Sequence, residues 1–250
     1  MKILSWNVNG IRAVYKKNFL DWLIKTNADI VCLQEIKASA NKIPKGLTNL
    51  KKYYSYFNPA QKDGYSGVAV FSKEKPLKIE NKIGINQFNR EGRVLKLKYP
   101  DFTLICLYFP HGGRGKEKLK YKLRVYNQFI KYLSGLKNKN IILAGDFNIA
   151  HQEIDLARPK QNKNNIMFTS DERKQIDKIV KLGFIDTFRK FDQKGNNYTW
   201  WPYFANARQR NLGWRIDYVF ASKRLTPKLK DAFILKNVKG SDHCPVGIKI

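Results

Sequence analysis

The chain has 250 residues, with 20 Asp and Glu against 48 Lys and Arg, so a carboxylate at a costly position is a candidate for chemistry. Several such positions share one form, an apolar run that stops abruptly on polar groups. KILSWNV carries Asn7 and is followed by Asn9; DIVCL runs into Gln34-Glu35. FTLICL runs into Tyr108-Phe109-Pro110-His111, and NIILA into Gly145-Asp146-Phe147-Asn148. Arg215-Ile216-Asp217-Tyr218 opens another run, and Ser241-Asp242-His243 precedes the last. Polar groups at such places are expensive unless partnered, and strand ends are where α/β proteins commonly place ligands. Any one of these residues alone reads as a loop or cap residue. The whole set does not.

Phosphodiester hydrolysis asks for this inventory. Carboxylate oxygens hold a hard cation that neutralises the phosphate. A base orients or deprotonates water, and donors stabilise the charge that grows at phosphorus. Glu35, Asp146, Asp217 and Asp242 are the carboxylates; Asn7, Asn148, Tyr108 and His243 are the donors. Acyl transfer fits poorly, because no Ser or Cys nucleophile motif is present. The GGRG at Gly112 lacks the Lys-Ser/Thr that completes a phosphate-binding loop.

The formal charge of +28 points to a polyanion, and nucleic acid is the natural one, since neutralising phosphates releases counterions. Much of the lysine also suits a solvated surface. No apolar run approaches the ~20 residues of a membrane span. MKILSWNVNG is too short and too quickly polar for a signal peptide, so a cytoplasmic, prokaryotic protein is expected. Cys32, Cys106 and Cys244 lack paired metal-ligand spacing and read as inert thiols.

The elements that must position these residues are legible as runs of four to eight apolar residues between turn signals. KILSWNV, DIVCLQE, GVAVFSK, RVLKLKY, FTLICLYF, NIILAGDF, IDYVFAS and CPVGIKI read as strands of covered sheets. One helix presents Phe19, Leu20, Leu23 and Ile24; another presents Leu119, Leu123, Tyr126, Phe129, Ile130 and Leu133. A third opens on a capping box, Thr169 with Glu172, ahead of Ile176, Ile179 and Val180. The basic, Asn-rich stretch 157–165 reads as a loop. No linker divides the chain, so one domain over 1–250 is expected. Similar endings at SWNVNG and AGDFN suit two like sheets packed face to face.

Taken in order, SWNVNGIRA, DIVCLQE, YSGVAVFS, EGRV, LYFP, GDFNIAHQEIDL, YTWWPY, NARQRNLGWRIDY and GSDHCPV resemble the exonuclease III family of abasic-site endonucleases along essentially the whole chain. The resemblance implies an α/β four-layered sandwich, two mixed β-sheets flanked by helices. It implies Mg²⁺, with Mn²⁺ able to replace it, held by Glu35 with Asn9 and Asp242 nearby. Asn9 stands where some relatives carry Asp, so Glu35 is the expected main ligand. Asp146 would orient or deprotonate the attacking water, with Asn7 and Asn148 positioning it and the phosphate. His243, oriented by Asp217, and Tyr108 would contact that phosphate. His111 stands where some relatives carry Asn.

The same resemblance implies a lesion pocket of Trp200, Trp214 and Ile216, with Trp201 reading as core. It implies insertion of Phe204 and Arg114 into the duplex, and backbone contacts from Arg12, Lys17, Tyr65 and Arg208. The expected activity is cleavage 5′ to abasic sites in double-stranded DNA by a monomer, with 3′→5′ exonuclease or 3′-phosphodiesterase side activity. Exonuclease or deoxyuridine endonuclease as the main activity is the alternative within enzymes. A non-catalytic nucleic-acid-binding protein is the alternative outside them, and it leaves the strand-end acids unexplained. Leu4 stands where some relatives have a reactive cysteine, so no redox role is expected.

Overall fold

The computed structural model describes residues 1–136 and 139–250. Two six-stranded sheets form its centre. The first contains β1 (Lys2–Asn7), β2 (Ile30–Gln34), β3 (Tyr54–Asn58), β4 (Val68–Ser72), β11 (Asp231–Ile234) and β12 (Val246–Lys249), in the order β11-β12-β1-β2-β4-β3. The second contains β5 (Lys78–Glu80), β6 (Val94–Lys98), β7 (Thr103–Tyr108), β8 (Ile141–Asp146), β9 (Phe184–Asp186) and β10 (Asp217–Ser222), in the order β5-β6-β7-β8-β10-β9. Each sheet is built around one parallel pair, β1 with β2 and β7 with β8, and is otherwise antiparallel.

Helices cover the outer faces. They are α1 (Ile11–Tyr15), α2 (Phe19–Thr26), α3 (Lys45–Thr48), α4 (Asn86–Arg90), α5 (Leu119–Ser134), α6 (Ser170–Lys181) and α7 (Thr187–Phe191). Ile30, Cys32, Val68, Val70, Leu95, Leu104, Cys106 and Ile142 fill the layer between the sheets. Phe88, Phe109, Phe129, Ile176 and Phe220 pack the second sheet's helical face, and Leu4, Trp6, Phe19, Leu23 and Phe71 that of the first. The strands therefore bury both faces, which is why they read as continuous apolar runs. The four-layered sandwich is the observed architecture. Among the described residues no helix is long and apolar enough to cross a membrane.

All eight strands expected from the sequence form. β3, β5, β9 and β11 were not anticipated. They lie at sheet edges and run three to five residues, too short for a periodic signal. The capping box at Thr169 forms, with Glu172 N–H donating to Thr169 Oγ1 and Thr169 N–H to Glu172 Oε2. Two apolar stripes are narrower than expected, because Ile24 and Val180 lie at the solvent edge of their helices, 48% and 42% exposed.

Register decides where the polar strand ends fall. Asn7 is level with Gln34 in the first sheet. Asp146 is level with Tyr108 on one side and with Asp217 on the other. Gly145 permits this alignment, since a Cβ there would lie 1.9 Å from the Leu107 carbonyl oxygen of β7. β1 packs across the interior on β8 and β10, and β2 on β7 and β8, so both sets of ends open on one edge of the sandwich.

Candidate active site

Asn7 joins the two sheets. Its buried amide Nδ2 donates to Glu35 Oε1 and to Asp146 Oδ2, both at 2.8 Å. Asp146 also accepts from Asn148, at Oδ1 from the backbone N–H (2.8 Å) and at Oδ2 from the side-chain amide (3.2 Å). Asn148 is pinned in turn by donating to the Phe109 carbonyl. Asn9, Glu35 and Asn148 have positive φ values of 46°, 52° and 52°. Asn tolerates this conformation; for Glu35 it is strain of the kind that clusters at functional sites.

His243 Nδ1 sits 2.8 Å from Asp217 Oδ2. That oxygen also accepts from Thr199 Oγ1 at 2.6 Å, and the same hydroxyl accepts the Ile216 and Asp217 backbone N–H groups. Asp217 Oδ1 is buried with no hydrogen-bond partner among the described residues. The imidazole is thus fixed through one nitrogen, which frees Nε2 for a ligand.

Electrostatics follow from this crowding. Burial opposes a charged imidazole, but the Asp217 carboxylate, helped by Asp242 and Asp146, outweighs it and lifts His243 to about 10. Burial and then the Asp217 charge push Asp146 up to about 8. Burial works against the charged form of Glu35 too, yet Lys37 and the Asn7 amide hold it below the usual carboxylate range. Burial and the Glu35 charge keep Tyr108 a neutral phenol, under the Arg93 guanidinium 4.5 Å from its ring. Burial, then Lys122, lowers His111, leaving a neutral ring at the cleft.

Oxygen and nitrogen atoms of Glu35, Asp146 and His243 all lie within 4.8 Å of one another. Three groups from distant parts of the chain therefore converge, and the Glu35 and Asp146 carboxylates among them suit a divalent cation. Asn9 and Asp242 lie alongside, hydrogen-bonded to each other at 3.0 Å. The other Asp242 oxygen accepts from Trp200 Nε1 at 3.0 Å.

The remaining expected residues divide. Trp214 and Ile216 are buried against Phe168, Met167 and Leu156, and Trp200, partly open, packs on that cluster and bridges to His243. Trp201 is core, as expected, at 3% exposure. Arg12, Lys17, Tyr65, Arg114 and Phe204 are exposed, Phe204 at 71%; His111 is only partly buried. Lys17 donates to the Gly240 carbonyl, and the Tyr65 hydroxyl accepts from Arg93. Arg208 is partly buried. It donates to the carbonyls of Lys236, Val238 and Ser241 and lies 4.7 Å from the Trp201 ring centre, so it braces the loop that carries Asp242 and His243.

Sequence reasoning passed over Lys37, Thr199, Tyr203 and Lys122. The Lys37 ammonium lies 2.6 Å from both Glu35 Oε2 and Asn9 Oδ1. Tyr203, 74% exposed, is 3.5 Å from Asp242 Oδ1. Lys122 is fully buried and donates to Glu172 and to the carbonyls of His111 and Asn148. Only Lys37 carried a signal, its place two residues after Glu35.

Residues 4–243 match the Endonuclease/Exonuclease/phosphatase family. An exodeoxyribonuclease of Bacillus subtilis (strain 168) is 44% identical over 255 residues, covering 100% of this chain and 99% of that protein. The DNA repair nuclease APEX1 of Danio rerio is also 44% identical, over 98% of this chain and 81% of its own. The structure of an AP endonuclease from Archaeoglobus fulgidus matches with a TM-score of 0.91 at 30% identity, across 99% of this chain and 98% of that one. Family match, identity and shared fold agree along the full length, and the chain belongs to the endonuclease/exonuclease/phosphatase family, among its exonuclease III-type nucleases.

Proposed function

We propose that this nuclease hydrolyses the phosphodiester on the 5′ side of an abasic site in duplex DNA, using Mg²⁺. The observation that carries the reading is the meeting of Glu35, Asp146 and His243 in one cleft, beside Trp200, with Phe204 exposed nearby in sequence. An abasic nucleotide has no base to stack or pair, so it leaves the duplex at low cost and suits an apolar pocket. An exposed aromatic side chain is a sensible wedge for the gap it leaves.

Asn7 and Asn148 fix the Asp146 carboxylate, which takes a proton from the attacking water as the water oxygen bonds to phosphorus. The bond from phosphorus to the 3′ oxygen breaks, and that oxygen takes a proton from solvent, giving a 3′-hydroxyl and a 5′-sugar phosphate. His243, charged and locked by Asp217, donates from Nε2 to a phosphate oxygen, and the neutral phenol of Tyr108 donates to the same group. A divalent cation held by Glu35, with Asn9 and Asp242 nearby, would neutralise phosphate charge and favour ionised Asp146.

A duplex oligonucleotide bearing one tetrahydrofuran site tests this. Single-site cleavage should require Mg²⁺, stop with EDTA and fall by at least about a thousandfold in Asp146→Asn. Cleavage that persists in EDTA sinks the reading. The name of the Bacillus subtilis relative, exodeoxyribonuclease, favours a second reading, with exonuclease action dominant. Matched assays on abasic, uracil-containing and recessed-end duplexes rank the activities.

A further inference from the structure

Both oxygens of the Glu35 carboxylate are engaged within the chain. Oε1 accepts from the Asn7 amide, and Oε2 faces a cation instead of a neutral donor. That cation belongs to this same chain: Lys37 Nζ lies 2.6 Å from Oε2 and 2.6 Å from Asn9 Oδ1, between two oxygens that a hard cation would take. Lys37 reaches them because its backbone is fixed in a left-handed turn, φ 47°, with its N–H donating to the Ser66 carbonyl at 2.9 Å. Ile36 N–H donates to the Gly67 carbonyl beside it. The side chain is not so confined, being one-third exposed (33%) with four rotatable bonds leading to solvent.

The geometry points to Lys37 as a displaceable internal counter-ion. It occupies the cation's place on Glu35 and Asn9 when no metal is bound, and it swings outward when a divalent cation enters. Lys37 then sets how tightly the nuclease holds its metal, because each binding event must break the Lys37–Glu35 pair and leave a positive charge nearby. The ammonium also keeps the metal-free cleft from carrying Glu35 uncompensated. The inference rests on Glu35 as a metal ligand, a role argued above.

The test is Mn²⁺ binding to the full chain without DNA, read from the electron paramagnetic resonance signal of free Mn²⁺, with thermal unfolding in EDTA and in Mg²⁺. Lys37→Met should bind Mn²⁺ about tenfold more tightly than wild type, and Lys37→Arg should stay close to wild type. In EDTA, Lys37→Met should melt below wild type, and Mg²⁺ should raise its Tm by more. If Glu35→Gln weakens Mn²⁺ binding while Lys37→Met leaves it unchanged or weaker, the counter-ion role is overturned and the metal site stands. If Glu35→Gln binds Mn²⁺ like wild type, both fall.

Discussion

Asp146 and Asp217 stand directly opposite one another, as register partners of the antiparallel strands β8 and β10. Like charges so placed destabilise a sheet. The cleft accommodates them by lifting Asp146 to about 8 and by setting the charged His243, lifted to about 10, against Asp217.

Both shifts are upward, so the folded protein holds these protons more tightly than the unfolded chain. The His243 contribution to stability is full below its ordinary pKa of about 6.5 and is lost as pH rises through about 10. The Asp146 contribution is lost between about 3.9 and about 8. In EDTA, Tm should therefore fall steadily from pH 6.5 to 10. Asp217→Asn should flatten that slope. An unchanged slope in the variant would show that Asp217 is not what raises His243.

Thr199 positions Asp217 without touching phosphate. Thr199→Val strips a hydrogen bond from Asp217 Oδ2 and the acceptor from two backbone N–H groups, at a cost of about 1–3 kcal/mol. With the imidazole less firmly held, kcat on the tetrahydrofuran duplex should fall about tenfold or more, with KM little changed. Thr199→Ser should restore most of both.

Lys122 and Glu172 form an ion pair with both side chains at 0% exposure. Losing one partner strands a buried charge, so Lys122→Met alone should cost about 3–5 kcal/mol in urea unfolding. The double variant Lys122→Met/Glu172→Leu should cost clearly less than the two single changes summed. Additivity would mean that the pair is not coupled.

Arg12 and Arg208 should separate cleanly. Arg12 is exposed, so Arg12→Ala should lower the salt dependence of DNA binding by about one unit of slope without shifting Tm. Arg208 braces the loop of Asp242 and His243, so Arg208→Ala should reduce Tm and kcat together. If Arg208→Ala changes only the salt slope, the brace is not what the guanidinium supplies.

The parts legible in the sequence are those that local pattern determines. Eight strands announce themselves because both faces are buried, and their polar endings mark the site. Edge strands such as β5 and β9 are short and paired on one side, so they carry little periodic signal of their own. The site shows the same division. Asp146, Asp217 and His243 stand out as costly polar groups. Thr199 and Arg208 do not, since their partners lie 18 and some 30 residues away and only the folded chain brings them near. Lys122 looks like one more surface lysine among many, and only its docking on Glu172 from another helix sets it apart.

Asn7 spans the two sheets with a single amide, tying Glu35 on one side to Asp146 on the other. The width of the cleft is therefore governed by the thickness of the apolar filling beneath it. Val70→Ala in that filling should let the sheets settle closer and pull the paired groups out of alignment, so turnover should drop while the molecule still melts cooperatively. Catalytic rate in this nuclease is then a ruler for the gap between its two halves.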